Sequence, residues 1–355
     1  MTVYASKPEI NVREKLKELD KPSGIAGEAM LRAETPQEQQ ALIGVGRKNL
    51  IINGGFDVWQ RDTSFSLNTN SVTYTADRWA YYSPGGTGVV SKEEAVVDGK
   101  MRNTLKAVFS NVNNSHRTIR QRFENSKRFS DKTVTLSFWA KSNTAQGYNI
   151  LWRTWYTGST YDDYTSEAIQ LGTSWKYYSV TFKFPDISSK SFNDDNQMEL
   201  MLQNVEVKDH ELHLSDVQLE FGKVATPFEQ RSYGEELALC QRYYEKIVGS
   251  TPWFMAHGYG TEVYCNIPFN TSKRTGSGTL YYSNPSDAAA MVTMYGNVAS
   301  SGGPDGVITG VAAANVTAHS MSFYFQMSAS TYTPHGTSVM FRFDASHWIA
   351  YDAEL

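Results

Sequence analysis

The segment Tyr148-Asn149-Ile150-Leu151-Trp152-Arg153-Thr154-Trp155-Tyr156-Thr157-Gly158-Ser159-Thr160-Tyr161-Asp162-Asp163-Tyr164 holds the densest mixture of aromatic rings, arginine and carboxylates in this chain. Together those residue types can recognise sugars. Flat rings stack on the C–H faces of pyranoses, and charged groups hydrogen-bond the neighbouring hydroxyls. Read as a strand, Trp152, Thr154 and Tyr156 share one face while Arg153 and Trp155 share the other, so one of the two tryptophans belongs to a core. Trp152, Arg153, Trp155, Tyr156 and Tyr161 are the glycan-binding candidates. A second set lies further along, where residues 300–306 and 331–336 are rich in small and turn-forming types and are bordered by Tyr295, Tyr332 and His335. Loops on a rigid scaffold commonly carry function, so these three are candidate receptor contacts, and tolerance of loop tips to change explains them equally well.

Catalytic signatures are missing from the sequence. It has no GxGxxG after a strand, no phosphate-loop lysine, no GxSxG elbow and no HExxH. The seven histidines are scattered, and the one close pair, His210 and His213, would point to opposite faces of a strand. Asp162-Asp163 and Asp194-Asp195 sit in polar stretches and read as solvated charge. A glycosidase needs two carboxylates converging from different strands, and no motif marks such a pair. The expectation is a protein that is not an enzyme and needs no cofactor. A net charge of -4 and a pI near 6.0 give no basic field for a phosphate backbone, so nucleic acid is not an expected partner. No run approaches the ~20 apolar residues of a membrane span, and residues 1–20 lack the apolar stretch of a signal peptide. Cys240 and Cys265 are too few for a disulfide framework or a thiolate metal site, and are expected reduced and buried.

Composition shifts divide the chain that positions these residues. Residues 1–47 hold Pro8, Pro22 and Pro36 and almost no aromatics, which predicts a partly helical arm. Val12, Leu16 and Leu19 form one helical stripe, and Thr35 before Pro36 suits a helix start. A stripe this short is marginal alone and must lie on a partner. Residues 48–231 read as short strands between turns. Val134, Leu136, Phe138 and Ala140 alternate, as do Tyr178, Val180, Phe182 and Phe184, and this spacing argues for a sandwich or jelly roll. Leu212 and Leu214 have a parity that Val217, Leu219 and Phe221 do not share, which predicts a β-bulge at Ser215-Asp216 with Asp216 re-aimed. Residues 232–249 read as a connecting helix with Leu237, Cys240, Tyr244 and Ile247 on one stripe. Residues 250–355 read as a second small β-sandwich, with turns at Ser283-Asn284-Pro285, at 300–306 and at Pro334-His335-Gly336.

The opening Asn49-Leu50-Ile51-Ile52-Asn53-Gly54-Gly55-Phe56, read as a first strand, joins three further signals: Leu136-Ser137-Phe138-Trp139-Ala140-Lys141, Trp175-Lys176-Tyr177-Tyr178 and the closing Ser215-Asp216-Val217-Gln218-Leu219-Glu220. Together they resemble the jelly-roll carbohydrate-binding modules carried by phage tail and fibre proteins, over roughly residues 48–231. The resemblance implies a fold that is mainly β: a jelly-roll β-sandwich, a short helix and a second small β-sandwich, preceded by the arm. It implies a structural fibre protein of a phage virion, docked on other virion proteins through residues 1–47, with the C-terminal β-domain as the distal tip. The partner bound would be a host-surface glycan or receptor, and the alternative is the carbohydrate-binding module of a surface-polysaccharide depolymerase. Such fibres are usually homotrimers, and the Val12/Leu16/Leu19 and Leu237/Cys240/Tyr244 stripes could bury against their own copies. In these modules a structural calcium often joins the first and last strands. Asn53, Asp57 and Asp216 occupy the corresponding neighbourhoods, and the other reading is that Asn53 shapes the turn and Asp216 satisfies backbone donors at the bulge.

Overall fold

Strand alternation sets the architecture. The computed structural model describes residues 48–354 except 68–71, 112–116, 158–159, 167, 193–196, 207, 249–253, 261, 283–291, 297–307, 328–332 and 344–347. The arm, with its Val12/Leu16/Leu19 stripe and Thr35 cap, lies outside the described residues, as do residues 300–306 and Tyr332. Thirteen strands come first: β1 (Ser64–Leu67), β2 (Thr73–Tyr74), β3 (Ala80–Tyr82), β4 (Thr87–Val97), β5 (Lys100–Ser110), β6 (Thr118–Glu124), β7 (Thr133–Ser142), β8 (Gln146–Tyr156), β9 (Thr160–Thr165), β10 (Ile169–Leu171), β11 (Lys176–Lys183), β12 (Gln197–Asn204) and β13 (His210–Phe221). They form two antiparallel sheets. The first runs β1-β4-β5-β13-β7-β11; the second runs β10-β8-β12-β6-β3-β2, with β9 also paired to β8.

The core lies between these sheets. On β7, Val134, Leu136, Phe138 and Ala140 are buried, and β11 sets Phe182, Val180 and Tyr178 opposite the first three. Ile119, Phe123, Ile150, Trp152, Met198, Leu200 and Leu202 close the core from the second sheet. Period-two burial from both sides is what a two-layer β-domain requires. The expected bulge is present. Pairing of β13 with β7 jumps from Ser215↔Trp139 to Gln218↔Ser137, Asp216 has φ 49°, and Val217 is fully buried.

The opening segment was expected to be a strand and is not one. Its asparagine side chains take the backbone bonds that a ladder would use. Asn49 Oδ1 accepts from the N–H groups of Ile51 and Leu219, and Asn53 Nδ2 donates to the carbonyls of Val58 and Asp77. Asn53 and Phe56 both have positive φ, at 58° and 56°. The segment therefore crosses the bulge as a stapled coil, with the Val217 N–H donating to the Gly54 carbonyl at 2.9 Å. A Cβ on Gly54 would lie 2.1 Å from the Val217 carbonyl oxygen, so only glycine fits.

Helix α1 (Tyr233–Gln241) begins with a Ser232/Glu235 capping box. It stops earlier than the helical stripe predicts, because the chain re-enters a sheet. Strand β14 (Tyr244–Val248) sets Ile247 opposite Ile349, and this pairing of aromatic and β-branched residues outweighs helix propensity. Eight further strands follow: β15 (Phe254–Gly260), β16 (Glu262–Pro268), β17 (Thr279–Tyr282), β18 (Val292–Gly296), β19 (Ile308–Val316), β20 (Ser320–Met327), β21 (Thr333–Phe343) and β22 (Trp348–Asp352). They make two more antiparallel sheets, β14-β22-β17 and β18-β21-β15-β16-β20-β19. Pro334-His335-Gly336 does not end a strand as expected. It lies inside β21, where pairing with β15 jumps from Gly258↔Thr337 to Gly260↔Thr333, an irregularity that accommodates a proline within a strand. Cys240 and Cys265 are buried and unpaired with each other.

Buried charge joins the first sandwich to the last strand. Arg61 lies 2.9 Å from Asp352, 3.5 Å from Glu354 and 3.9 Å from Asp77, and its guanidinium sits 3.7 Å from the centre of the Tyr244 ring. Arg78 pairs with Glu354 and stacks 3.4 Å over Tyr243.

Two measurements test this organisation. Gly54→Ala should lower the unfolding free energy by more than about 3 kcal/mol in urea titration, since the clash is with backbone rather than with a movable side chain. A loss under about 1 kcal/mol would show that the crossing relaxes freely. Burial pushes the Asp77 carboxyl up to about 6, against Arg61 and two hydrogen bonds from Gln60. A carboxyl whose folded pKa exceeds its unfolded value of about 3.9 binds more protons when folded, so it favours the fold below about pH 4, and that contribution fades as pH rises through 6. Asp77→Asn should therefore flatten the stability profile between about pH 4 and 6 relative to the parent; an unchanged profile would contradict this.

Candidate functional site

The outward face of the second sheet carries the site. Register alone builds its central row: Arg122 on β6 lies opposite Glu199 on β12, Glu199 opposite Arg153 on β8, and Arg153 opposite Asp163 on β9. Positive and negative groups thus alternate across four strands. Arg122 Nε bonds Glu199 Oε1, Arg120 Nη1 reaches Glu199 Oε2 at 3.4 Å, and Arg153 grips Asp163 with two bonds of 2.7 Å each. Cross-strand opposite charges stabilise the sheet, and the two-bond fork to Asp163 holds the Arg153 guanidinium in one orientation. Glu199 is fully buried. The Asp163 hydrogen bonds raise the pKa of Arg153 above its ordinary value, so that group stays charged.

Aromatic rings border the row at both ends. Trp155 lies opposite Tyr161 with ring centres 4.9 Å apart and planes at 58°, and the Arg153 guanidinium sits 4.1 Å from the Tyr161 centroid. Tyr161 is 47% exposed. The Trp155 indole N–H has no hydrogen-bond partner among the described residues. At the other end the Arg120 guanidinium lies 4.9 Å from the Tyr82 ring centre.

The five glycan candidates therefore divide. Arg153, Trp155 and Tyr161 come together on the outward face. Trp152 and Tyr156 do not, because the period of two turns them inward. Trp152 is 1% exposed and packs on Phe184 at 5.2 Å, and Tyr156 is buried against Phe192. Sequence reasoning missed Tyr82, Arg120, Arg122 and Glu199. One signal was available in Met198-Glu199-Leu200-Met201-Leu202, where a single carboxylate interrupts an apolar strand and needs a buried cation.

The three residues proposed for calcium are each engaged elsewhere. Asn53 uses its amide on Val58 and Asp77, Asp57 accepts from Asn103 Nδ2 at 2.6 Å, and Asp216 pairs with Arg102. Among the described residues no group of three or more His, Cys, Asp or Glu side chains is placed to hold a metal ion. Tyr295 and His335 fall within strands β18 and β21, and Tyr332 lies outside the described residues. His210 and His213 do face opposite sides: the first meets Tyr148 Oη in the core at 2.5 Å, the second meets Glu211 at 3.2 Å.

No family model and no curated protein matches the chain. Carbohydrate-binding modules are among its structural neighbours. A CBM4 structure shares 19% identity over 48% of this chain and 98% of its own, with a TM-score of 0.32. A family 11 carbohydrate-binding module of the cellulosomal cellulase Lic26A-Cel5E of Clostridium thermocellum shares 16% identity over 45% and 99%, with a TM-score of 0.30. The enzymatically active domain of bacteriophage CBA120 tailspike protein 4 shares 14% identity over 49% of this chain and 21% of its own, with a TM-score of 0.31.

Removing rings from opposite faces should have opposite consequences. Trp152→Ala should cost about 3–5 kcal/mol of stability by leaving a core cavity. Tyr161→Ala should stay within about 0.5 kcal/mol, the usual range for an exposed side chain. Thermal denaturation of the two variants reads both values, and equal losses would mean that the faces are misassigned.

Proposed function

We propose that the chain binds carbohydrate on the outward face of its second sheet. The observation that carries this reading is the Arg122–Glu199–Arg153–Asp163 row bordered by Trp155 and Tyr161. A sugar hydroxyl both donates and accepts. The Arg153 guanidinium beside the Asp163 carboxylate offers both functions, and the exposed Tyr161 ring takes the apolar C–H face, while buried Glu199 pairs with Arg120 and Arg122 rather than with the ligand. Holding these pairs in place before the ligand arrives lowers the ordering cost of binding. The row recognises its ligand and carries out no reaction on it.

The finer reading is a fibre protein of a phage virion. Residues 1–47 dock it on other virion proteins, copies associate as a homotrimer, and the bound glycan belongs to a host surface. Its support is the sequence likeness of residues 48–231 to phage-borne modules and the arm composition of residues 1–47.

A glycan array probed with the full chain should show at least one glycan whose binding Arg153→Ala abolishes and Tyr161→Ala weakens by about tenfold, equivalent to ~1.4 kcal/mol. Binding unchanged in both variants would remove the proposed face. Light scattering on the same sample should give the mass of a trimer at micromolar concentration, and a monomer would sink the fibre assembly.

A further inference from the structure

The outward face of the first sheet holds a groove of about 690 Å³ beside the bulge. Its size suits a ligand cleft. Trp139 and Tyr177, opposite one another on β7 and β11, line one side with ring centres 5.5 Å apart and planes at 58°. Tyr177 is 41% exposed, so its ring is accessible to a ligand. Across the groove lie Asp216 and Arg102, and Asp98 and Lys100 stand at the hairpin joining β4 to β5. A smaller pocket of about 270 Å³ shares Lys100, Arg102 and Asp216 and continues past Asp57 and Asn103.

Several features single this groove out from an ordinary surface depression. Asp216 adopts a left-handed conformation, φ 49°, which is uncommon for a residue other than glycine and is held in place by the crossing segment at Val217. That conformation places its carboxylate in the groove, where Arg102 pairs with it. The result is a donor and an acceptor side by side next to two rings, the same chemistry as on the other sheet but built from different residues. Charge in the groove cancels, because Lys100 and Arg102 oppose Asp98 and Asp216. A balanced lining favours an uncharged polyhydroxylated ligand over a phosphate, a uronate or a basic peptide, each of which would leave one sign unmatched.

We propose that this groove is a second carbohydrate site, selective for neutral sugars and separate from the face of the second sheet. A sugar ring lies against Trp139 and Tyr177, and its neighbouring hydroxyls meet the Arg102–Asp216 pair. The site uses no residue of the Arg122–Glu199–Arg153–Asp163 row.

Calorimetric titration of the full-length Arg153→Ala/Tyr161→Ala variant tests it, with cello-, laminari-, xylo- and manno-oligosaccharides as probes and oligogalacturonate as the acidic control. At least one neutral probe should bind this variant with one site per chain. Adding Tyr177→Ala should weaken that binding by about tenfold or more. Trp139→Phe, which keeps a ring at the position, should weaken it less. Absence of neutral binding in the double variant, residual binding insensitive to Tyr177→Ala, or a preference for oligogalacturonate would each overturn the proposal. Circular dichroism on every variant separates loss of the site from loss of fold.

Discussion

The passage of Gly54 over the carbonyl of Val217 is the contact on which the rest of the structure depends. The bulge in β13 leaves two residues facing one, and its backbone groups need partners from outside the ladder. The opening segment supplies them through Gly54 and through Asn49, whose amide donates to the Val217 carbonyl. The same segment ties the other layers together. Ile52 exchanges two bonds with the Gln121 side chain of the second sheet, and the Asn53 N–H donates to Glu236 on the helix. Arg231 then bonds the carbonyls of Asn49 and Ile51 and pairs with Glu236. A stretch with no strand of its own thus joins both sheets and the helix.

A second constraint is electrostatic. Arg61 and Arg78 are withdrawn from water between the first sandwich and the last strand, and their desolvation is offset by Asp352, Glu354 and the faces of Tyr243 and Tyr244. Such a junction adds little net stability relative to an apolar one. What it provides is definition, because a buried guanidinium tolerates few relative positions of the two parts it joins.

Much of this was legible in the sequence because it follows from periodicity. The alternating strands β7 and β11 and the parity slip before Val217 announce the sheets and the bulge. So does the split of Trp152 from Trp155, whose opposite parity alone put one ring in the core. The parts that were not legible depend on which strand lies beside which. Arg122, Glu199 and Arg153 are far apart in sequence, and only the order β6-β12-β8 sets them in a row. The opening run looked like a strand by composition because nothing local reveals that Asn49 and Asn53 spend their side chains on distant backbone. Tyr244 satisfied a helical stripe but pairs with β22 in a strand, and Tyr243 before it lies in a turn with its ring against Arg78.

The two sheets turn their outer faces away from one another across the full thickness of the sandwich core. A polymer lying along one face cannot reach the other without bending around an edge strand. Sugars held at both proposed sites at once would therefore belong to separate polymer strands, which the chain would link. In that geometry its residence at a surface would be set by avidity, since release requires both faces to let go before either rebinds.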